Sequence, residues 1–349
     1  MRTNRISSMK TPSILGISIL ALLCAAAPAP ANITLSTVTI GNSGNAPDTT
    51  VMSNGTTGYG QVNYTYAIGK YDVTNTQYTA FLNAVAATDT YALYNTYMAN
   101  DLQVAGITRS GPSGSYTYAV IAGMGNQPVT YVSWFDAARF SNWLGHGQPV
   151  GVQGNGTTET GAYTLNGATS GVGVLNNGSG SYWIPSESEW YKAAYYDPSI
   201  AGANKYWTYA TRSNSAPGNV VGGAANQANY ITANNFYSVT QSSIHSSFQN
   251  YLTDVGAFTG SGSAYGTFDQ IGDVWNWNDA VLDSLRGLRG GSWANSAFPV
   301  QSSAQGFVDP TSENNIMGFR IATPEPTVSV SLMLAGGMLL ARRKRPSAL

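Results

Sequence analysis

Side-chain inventory limits the chemistry of this chain before any fold is considered. Its 349 residues hold one cysteine, Cys24, and two histidines, His146 and His245. Cys24 lies in an apolar N-terminal run that is expected to be removed, which leaves the mature chain without a thiol. No disulfide framework, thiolate zinc site, iron–sulfur cluster or cysteine nucleophile is then available. Two histidines cannot build a three-histidine metal site, and each reads as a solvated or capping residue. Calcium asks for different ligands, six to eight oxygens drawn from carboxylates, amides and backbone carbonyls. The run Phe268-Asp269-Gln270-Ile271-Gly272-Asp273-Val274-Trp275-Asn276 offers that mixture in a short span. Glu187 and Glu189 could form an acid/base pair, but capping of a helix start explains them more simply. Asp279 and Asp283, four apart, could share a helical face and bind sugar or metal beside Trp275 and Trp277. A solvated face is the plainer reading. No Gly-x-Ser-x-Gly elbow occurs between a strand and a helix.

The elements that would position these groups are few. Three helices are predicted. The first starts at Thr74 or Asn75, with Tyr78, Phe81, Leu82 and Val85 at helical spacing. The second is capped by Ser133, with Asp136 in the reciprocal position and Phe140, Trp143 and Leu144 on its apolar face. The third opens with the capping box Ser186-x-x-Glu189 and turns Trp190, Ala193 and Ala194 inward. Ile33–Ile40 and Tyr64–Ile68 read as strands. Residues 145–180 and 212–265 are Gly-, Asn- and Thr-rich, without helical period, and read as long loops with short strands. No repeat of fixed period appears, which favours one domain of about 290 residues.

Composition agrees with a loop-rich exported protein. Charged residues make up 9% of the chain, against roughly 25% in typical domains, while glycine contributes 39 residues and tyrosine 22. Residues 32–323 carry nine Lys/Arg against sixteen Asp/Glu, a net charge of −7. That balance excludes a nucleic-acid partner, which needs a basic stripe to displace counterions. It also suits a divalent cation.

Both ends read as addresses. Arg2, Arg5 and Lys10, then the apolar stretch Ile14–Ala27, then Ala29-Pro30-Ala31, form the three regions of a secretory signal peptide over residues 1–31. At the other end, Pro324-Glu325-Pro326, an apolar segment Val328–Ala341 and the basic run Arg342–Arg345 occupy residues 324–349. This order resembles the PEP-CTERM sorting signal of Gram-negative bacteria. It implies a short transmembrane segment with its basic end on the cytoplasmic side, a sorting protease as partner, and delivery to the cell envelope, surface or extracellular matrix. Between the addresses lie a polar strand-bearing segment, residues 32–63, and the main domain, residues 64–323. Membrane contact is expected only through the terminal segments.

Six short segments follow one another in the main domain. Ile68-Gly69-Lys70-Tyr71-Asp72-Val73-Thr74-Asn75 and Pro128-Val129-Thr130-Tyr131-Val132-Ser133-Trp134 lead into the first two helices. Ile184-Pro185-Ser186-Glu187-Ser188-Glu189-Trp190 opens the third. Gly272-Asp273-Val274-Trp275-Asn276-Trp277, Arg289-Gly290-Gly291-Ser292-Trp293 and Gly318-Phe319-Arg320-Ile321-Ala322 come after it. In this order they resemble the formylglycine-generating enzyme family, also called the sulfatase-modifying factor family, across residues 64–322. The resemblance implies an irregular, loop-rich α+β fold related to C-type lectins, with few helices and a twisted antiparallel sheet. Tryptophans 134, 190, 275, 277 and 293 would supply buried surface in such a fold. Arg289 and Arg320 are expected to be structural arginines forked onto carboxylates or carbonyls.

The family's chemistry does not carry over with the fold. Its oxidases use a cysteine pair soon after the Arg-Gly-Gly-Ser motif to bind copper(I). Asn295 and Val300 fall near that place here, so copper-dependent formylglycine generation is not expected. The iron-dependent sulfoxide synthases of the family need a histidine-rich site shared with a further helical domain, and iron is not expected either. The resemblance does imply calcium sites. One would take side-chain oxygens of Asp269 and Asn276 and carbonyls of Gly272 and Val274, although Asn276 stands where the family usually has glutamate. A weaker one would use Asn229, the Tyr230 carbonyl and the Gly256–Phe258 loop. The expected function is a non-catalytic binding module for an exopolysaccharide or a cell-surface protein. The alternative is an enzyme of altered chemistry in a cysteine-free cleft, with Arg286, Asn295, Ser296, Ser302 and Gln305 as candidate groups.

Overall fold

A computed structural model describes residue 1 and residues 32–325. The signal peptide expected from Arg2 onward, Cys24 included, lies outside the described residues. So does the expected sorting signal beyond Glu325. Among the described residues no helix is long and apolar enough to cross a membrane.

Three helices start where local hydrogen bonding dictates. In α1 (Asn75–Val85), α3 (Trp134–Gly145) and α4 (Glu187–Tyr195) the caps are Thr74, Ser133 and Ser186. Each closes a reciprocal box with Gln77, Asp136 and Glu189 respectively. Each box satisfies two of the backbone N–H groups that a helix start leaves open. A one-turn helix, α2 (Tyr97–Asn100), was not anticipated; its cap Thr96 makes no side-chain bond.

The strands are short. β1 (Thr37–Ile40), β2 (Tyr66–Gly69) and β9 (Ala322–Pro324) form an antiparallel sheet that ties the two ends of the domain together. β3 (Ile107–Ser110) and β4 (Thr117–Val120) form a hairpin. β5 (Trp275–Leu282), β6 (Leu285–Arg289), β7 (Gly306–Val308) and β8 (Met317–Gly318) form a four-stranded sheet in the order β7-β6-β5-β8, with β5 and β8 parallel. The β5–β6 register shifts between Trp277 and Val281. Residues 146–180 and 212–265 form no named strand or helix, only isolated bridges.

The helical face expected for Asp279 and Asp283 is therefore corrected. Asp279 lies in β5, and Asp283 lies in the β5–β6 turn at φ 54°. A spacing of four residues fits a helix face or a strand and its turn equally well; pairing with β6 and β8 decides for the strand.

With so little regular structure, aromatic side chains carry the packing. Phe81 meets Phe140 edge-on at 5.3 Å, and Phe140 meets Phe319 in the same way at 5.3 Å. These contacts join α1, α3 and the C-terminal end of the domain around one core that also holds Tyr78, Trp143 and Trp277. Trp134, Trp143, Trp190 and Trp277 are fully buried. Each large ring removes on the order of 150–250 Å² from water.

Candidate functional site

The run proposed for calcium folds into a buried knot around Arg320. The Arg320 guanidinium donates from Nη2 to Asp72 Oδ1 at 2.7 Å and to the Phe268 carbonyl at 3.0 Å. It also donates from Nη1 to the Gly69 carbonyl at 3.0 Å and from Nε to Asn276 Oδ1 at 2.7 Å. Trp190 Nε1 donates to the same Asn276 oxygen at 2.9 Å, and Asn276 Nδ2 reaches the Val274 carbonyl at 3.2 Å. An amide oxygen has two lone pairs, and both are taken. Asp269 Oδ2 accepts the Gly256 N–H at 2.6 Å. Asn229 donates to Asp273 Oδ1 at 2.7 Å and to the Tyr251 carbonyl at 2.8 Å, and the Tyr230 carbonyl accepts from Asn219 at 3.1 Å. Of the first ligand set, Asp269, Gly272, Val274 and Asn276, the Asn276 amide oxygen is committed to a guanidinium and an indole in this arrangement and is not free for a cation. Among the described residues no three His, Cys, Asp or Glu side chains are grouped to hold a metal.

Arg320 bonds one carboxylate of this knot, Asp72, and burial acts on Asp72, Asp269 and Asp273 alike. Burial pushes Asp72 up to about 6 against the opposing pull of Arg320. Burial likewise pushes Asp273 up to about 7 against bonds from Thr253 and Asn229. Asp269 is raised well above the usual range by burial and by its Asp273 and Asp72 neighbours. The folded chain thus holds protons that the unfolded chain releases near pH 4. Their contribution to stability is fully present below about 4 and is lost as pH rises from there through about 6 and 7. Thermal melts should give a higher Tm at pH 5 than at pH 8; the reverse order would mean that all three carboxylates are ionised and compensated. Exchange of chelator for excess calcium should leave Tm unchanged. A cation held at a hundred times its Kd would add about 2.7 kcal/mol, so a rise of several degrees would establish a bound ion.

Asn295 sits in a short polar turn. Asn295 Oδ1 accepts from the Ser292 N–H at 3.0 Å and from the Ser292 hydroxyl at 2.9 Å. Val300 is fully buried. The other candidate groups do not converge. Ser302 offers its carbonyl to Arg289 at 2.7 Å, and Gln305 donates to Glu187 at 2.6 Å. Arg289 also donates to Glu187, at 2.8 Å, so Glu187 is an ion-pair partner and Arg289 the structural fork that was expected. Arg286 belongs to a separate cluster with Asp279, at 3.5 Å.

Beside Asn295 stands a feature with no signal in the sequence beyond its tyrosine content. The Trp293 ring stacks on Tyr251 at 4.8 Å and 4°, and Tyr251 stacks on His245 at 5.5 Å and 9°. Trp293 Nε1 donates to the Asn315 carbonyl at 3.1 Å. His245 pairs with Gln103 Oε1 at 2.7 Å, and His146 with the Thr160 carbonyl at 2.9 Å, as expected of satisfied surface histidines. Asp101 Oδ2 gathers the Tyr131 hydroxyl at 2.7 Å and the Asn315 amide at 3.0 Å, and Tyr131 stacks on Tyr97 at 5.4 Å. Trp293 and Tyr251 are themselves buried, while Tyr97, Leu102, Ile244 and Phe248, on the segments that carry or meet this ladder, are 57%, 47%, 77% and 82% exposed.

A hercynine oxygenase of Mycolicibacterium smegmatis is 22% identical over 222 residues, which is 57% of this chain and 38% of that protein. The chain thus spans well under half the length of that relative. Among solved structures, CarF covers 84% of this chain at 18% identity with a TM-score of 0.48. PvdO from Pseudomonas aeruginosa covers 83% at 17% identity with a TM-score of 0.41. Residues 39–324 match the sulfatase-modifying factor enzyme 1-like domain, and the chain belongs to that family.

Proposed function

We propose that the chain is an exported, surface- or matrix-associated member of this family that binds a polysaccharide of the producing Gram-negative cell. The observation that carries this reading is the exposure of the Tyr97 and Phe248 rings, 57% and 82%, on segments that the buried Trp293–Tyr251 pair supports from beneath. Ring faces combined with neutral amides and hydroxyls suit sugars, which present apolar C–H faces and hydroxyl edges. The leader and the tail support an extracellular destination, with a sorting protease as a second, transient partner.

The paired substitution Tyr97→Ala and Phe248→Ala removes exposed rings only. It is expected to weaken binding to the cell's exopolysaccharide at least tenfold while Tm is unchanged. Unaltered binding would remove the face from the reading. Stoichiometric copper or iron in the purified protein, or oxidation of a sulfatase peptide's thiol to an aldehyde, would replace it with an enzymatic one.

A further inference from the structure

A cleft of about 340 Å³ opens beside the start of α4, lined by Tyr64, Asn176, Trp183, Ser186, Glu189 and Asp279. It shares no residue with the aromatic face. Its volume lies within the range of small-ligand sites.

Glu189 anchors the two aromatic walls. Its Oε1 accepts the Tyr64 hydroxyl at 3.0 Å, and its Oε2 accepts the Trp183 indole N–H at 3.1 Å. The Ser186 N–H takes Oε2 at 2.7 Å as part of the capping box. With its lone pairs committed, Glu189 neither attacks nor shuttles a proton; it holds the rings. Burial and this carboxylate push the Tyr64 phenol above its ordinary value, so it stays a donor. On the loop wall, Gly180 lets the chain pass close to residue 162, since a Cβ there would lie 2.5 Å from the Ala162 nitrogen.

Asp279 differs from Glu189. One oxygen, Oδ2, accepts the Tyr163 hydroxyl at 2.9 Å. The other, Oδ1, is buried without a hydrogen-bond partner, 3.5 Å from Arg286 Nη1. Arg286 Nε and Trp134 Nε1 are also buried and unpartnered, and the guanidinium lies 3.8 Å over the Trp134 ring. These atoms face one another behind one wall of the cleft: the Arg286 guanidinium and the Trp134 indole both act on the Asp279 carboxyl, at geometry short of a full hydrogen bond. Buried polar atoms are nearly always paired, so Asp279 keeps acceptor capacity for a donor that enters the cleft. Burial raises Asp279 to about 7, with Arg286, Tyr163 and Trp134 opposing.

We propose that this cleft is a second ligand site, for one or two units of a non-acidic saccharide. Trp183 and Tyr64 stack on the C–H faces of the sugar. Asp279 Oδ1 accepts a sugar hydroxyl, and the Asn176 amide, exposed at the rim, takes a second polar contact. No cation lines the cleft, so a uronate or a sulfated sugar finds no partner for its charge there. No covalent step is involved.

Titration calorimetry of the full chain with neutral and amino-sugar disaccharides tests this, with uronate disaccharides as the opposing arm. Binding is expected for a neutral or amino sugar, at least tenfold weaker for uronates. Asp279→Asn and Tyr64→Ala should each weaken it at least tenfold, and Asn176→Ala, which touches no core group, about threefold or more. The Tyr97→Ala, Phe248→Ala pair should leave this binding unchanged, which separates the cleft from the aromatic face. The proposal is overturned if uronates bind as well as neutral sugars, if no disaccharide binds, or if Tyr64→Ala and Asn176→Ala both bind like the parent.

Discussion

Arg320→Met is expected to lower stability by about 3–5 kcal/mol, the cost of leaving a buried charge without its partner. Small domains hold only about 5–15 kcal/mol in total. Arg320 is fully buried and spends four hydrogen bonds on Asp72, Asn276 and two backbone carbonyls. Methionine fills the volume and donates nothing. Asp72, whose Oδ2 is already unpartnered, would lose its only hydrogen bond in the structure. Lysine should recover little, since one ammonium cannot reproduce a planar fork aimed in several directions. Urea unfolding checks both variants. Adding Asp72→Asn to Arg320→Met should recover part of the loss, because the orphaned charge is then removed. A lysine variant within about 1 kcal/mol of the parent, the size of an ordinary hydrogen bond, would show that the fork is dispensable.

The second large effect belongs to one glycine. Gly272 sits at φ +79°, and a Cβ there would lie 2.2 Å from the Asn229 carbonyl oxygen and 2.8 Å from the carbonyl carbon. Neither the conformation nor the contact tolerates a side chain, and the obstacle is backbone that cannot rotate away. Gly272→Ala should therefore cost about 4 kcal/mol or more, in the range reserved for such defects. Gly178 is the control. It has a similar φ of +73°, but nothing lies within 4 Å of its would-be Cβ. Gly178→Ala should cost only the conformational term, about 1–2 kcal/mol. Equal losses in the two variants would show that the 229–272 contact yields.

How much of this was legible in the chain depends on the distance between partners. The three capping boxes join residues three apart, so Thr74–Gln77, Ser133–Asp136 and Ser186–Glu189 could be read directly. The structural role of Arg289 and Arg320 was legible from residue type, but their partners were not. Arg320 meets Asp72 across 248 residues and Arg289 meets Glu187 across 102. Asp279 was misplaced because a local spacing cannot reveal which strands will pair with it. The same limit applies to Asp269–Asn276, a run whose oxygens suit calcium. Trp190, 86 residues away, and Arg320, 44 away, claimed the Asn276 oxygen instead.

What the sequence alone determined is composition: the order of the family motifs and a single cysteine, Cys24. No folding can add a second thiol to such a chain. What only the tertiary structure decided is convergence. Trp293, Tyr251 and His245 come together as one stack, and Tyr64, Trp183 and Asp279 line one cleft. Long irregular loops bring these residues together, and loops obey no period that could be counted along the chain.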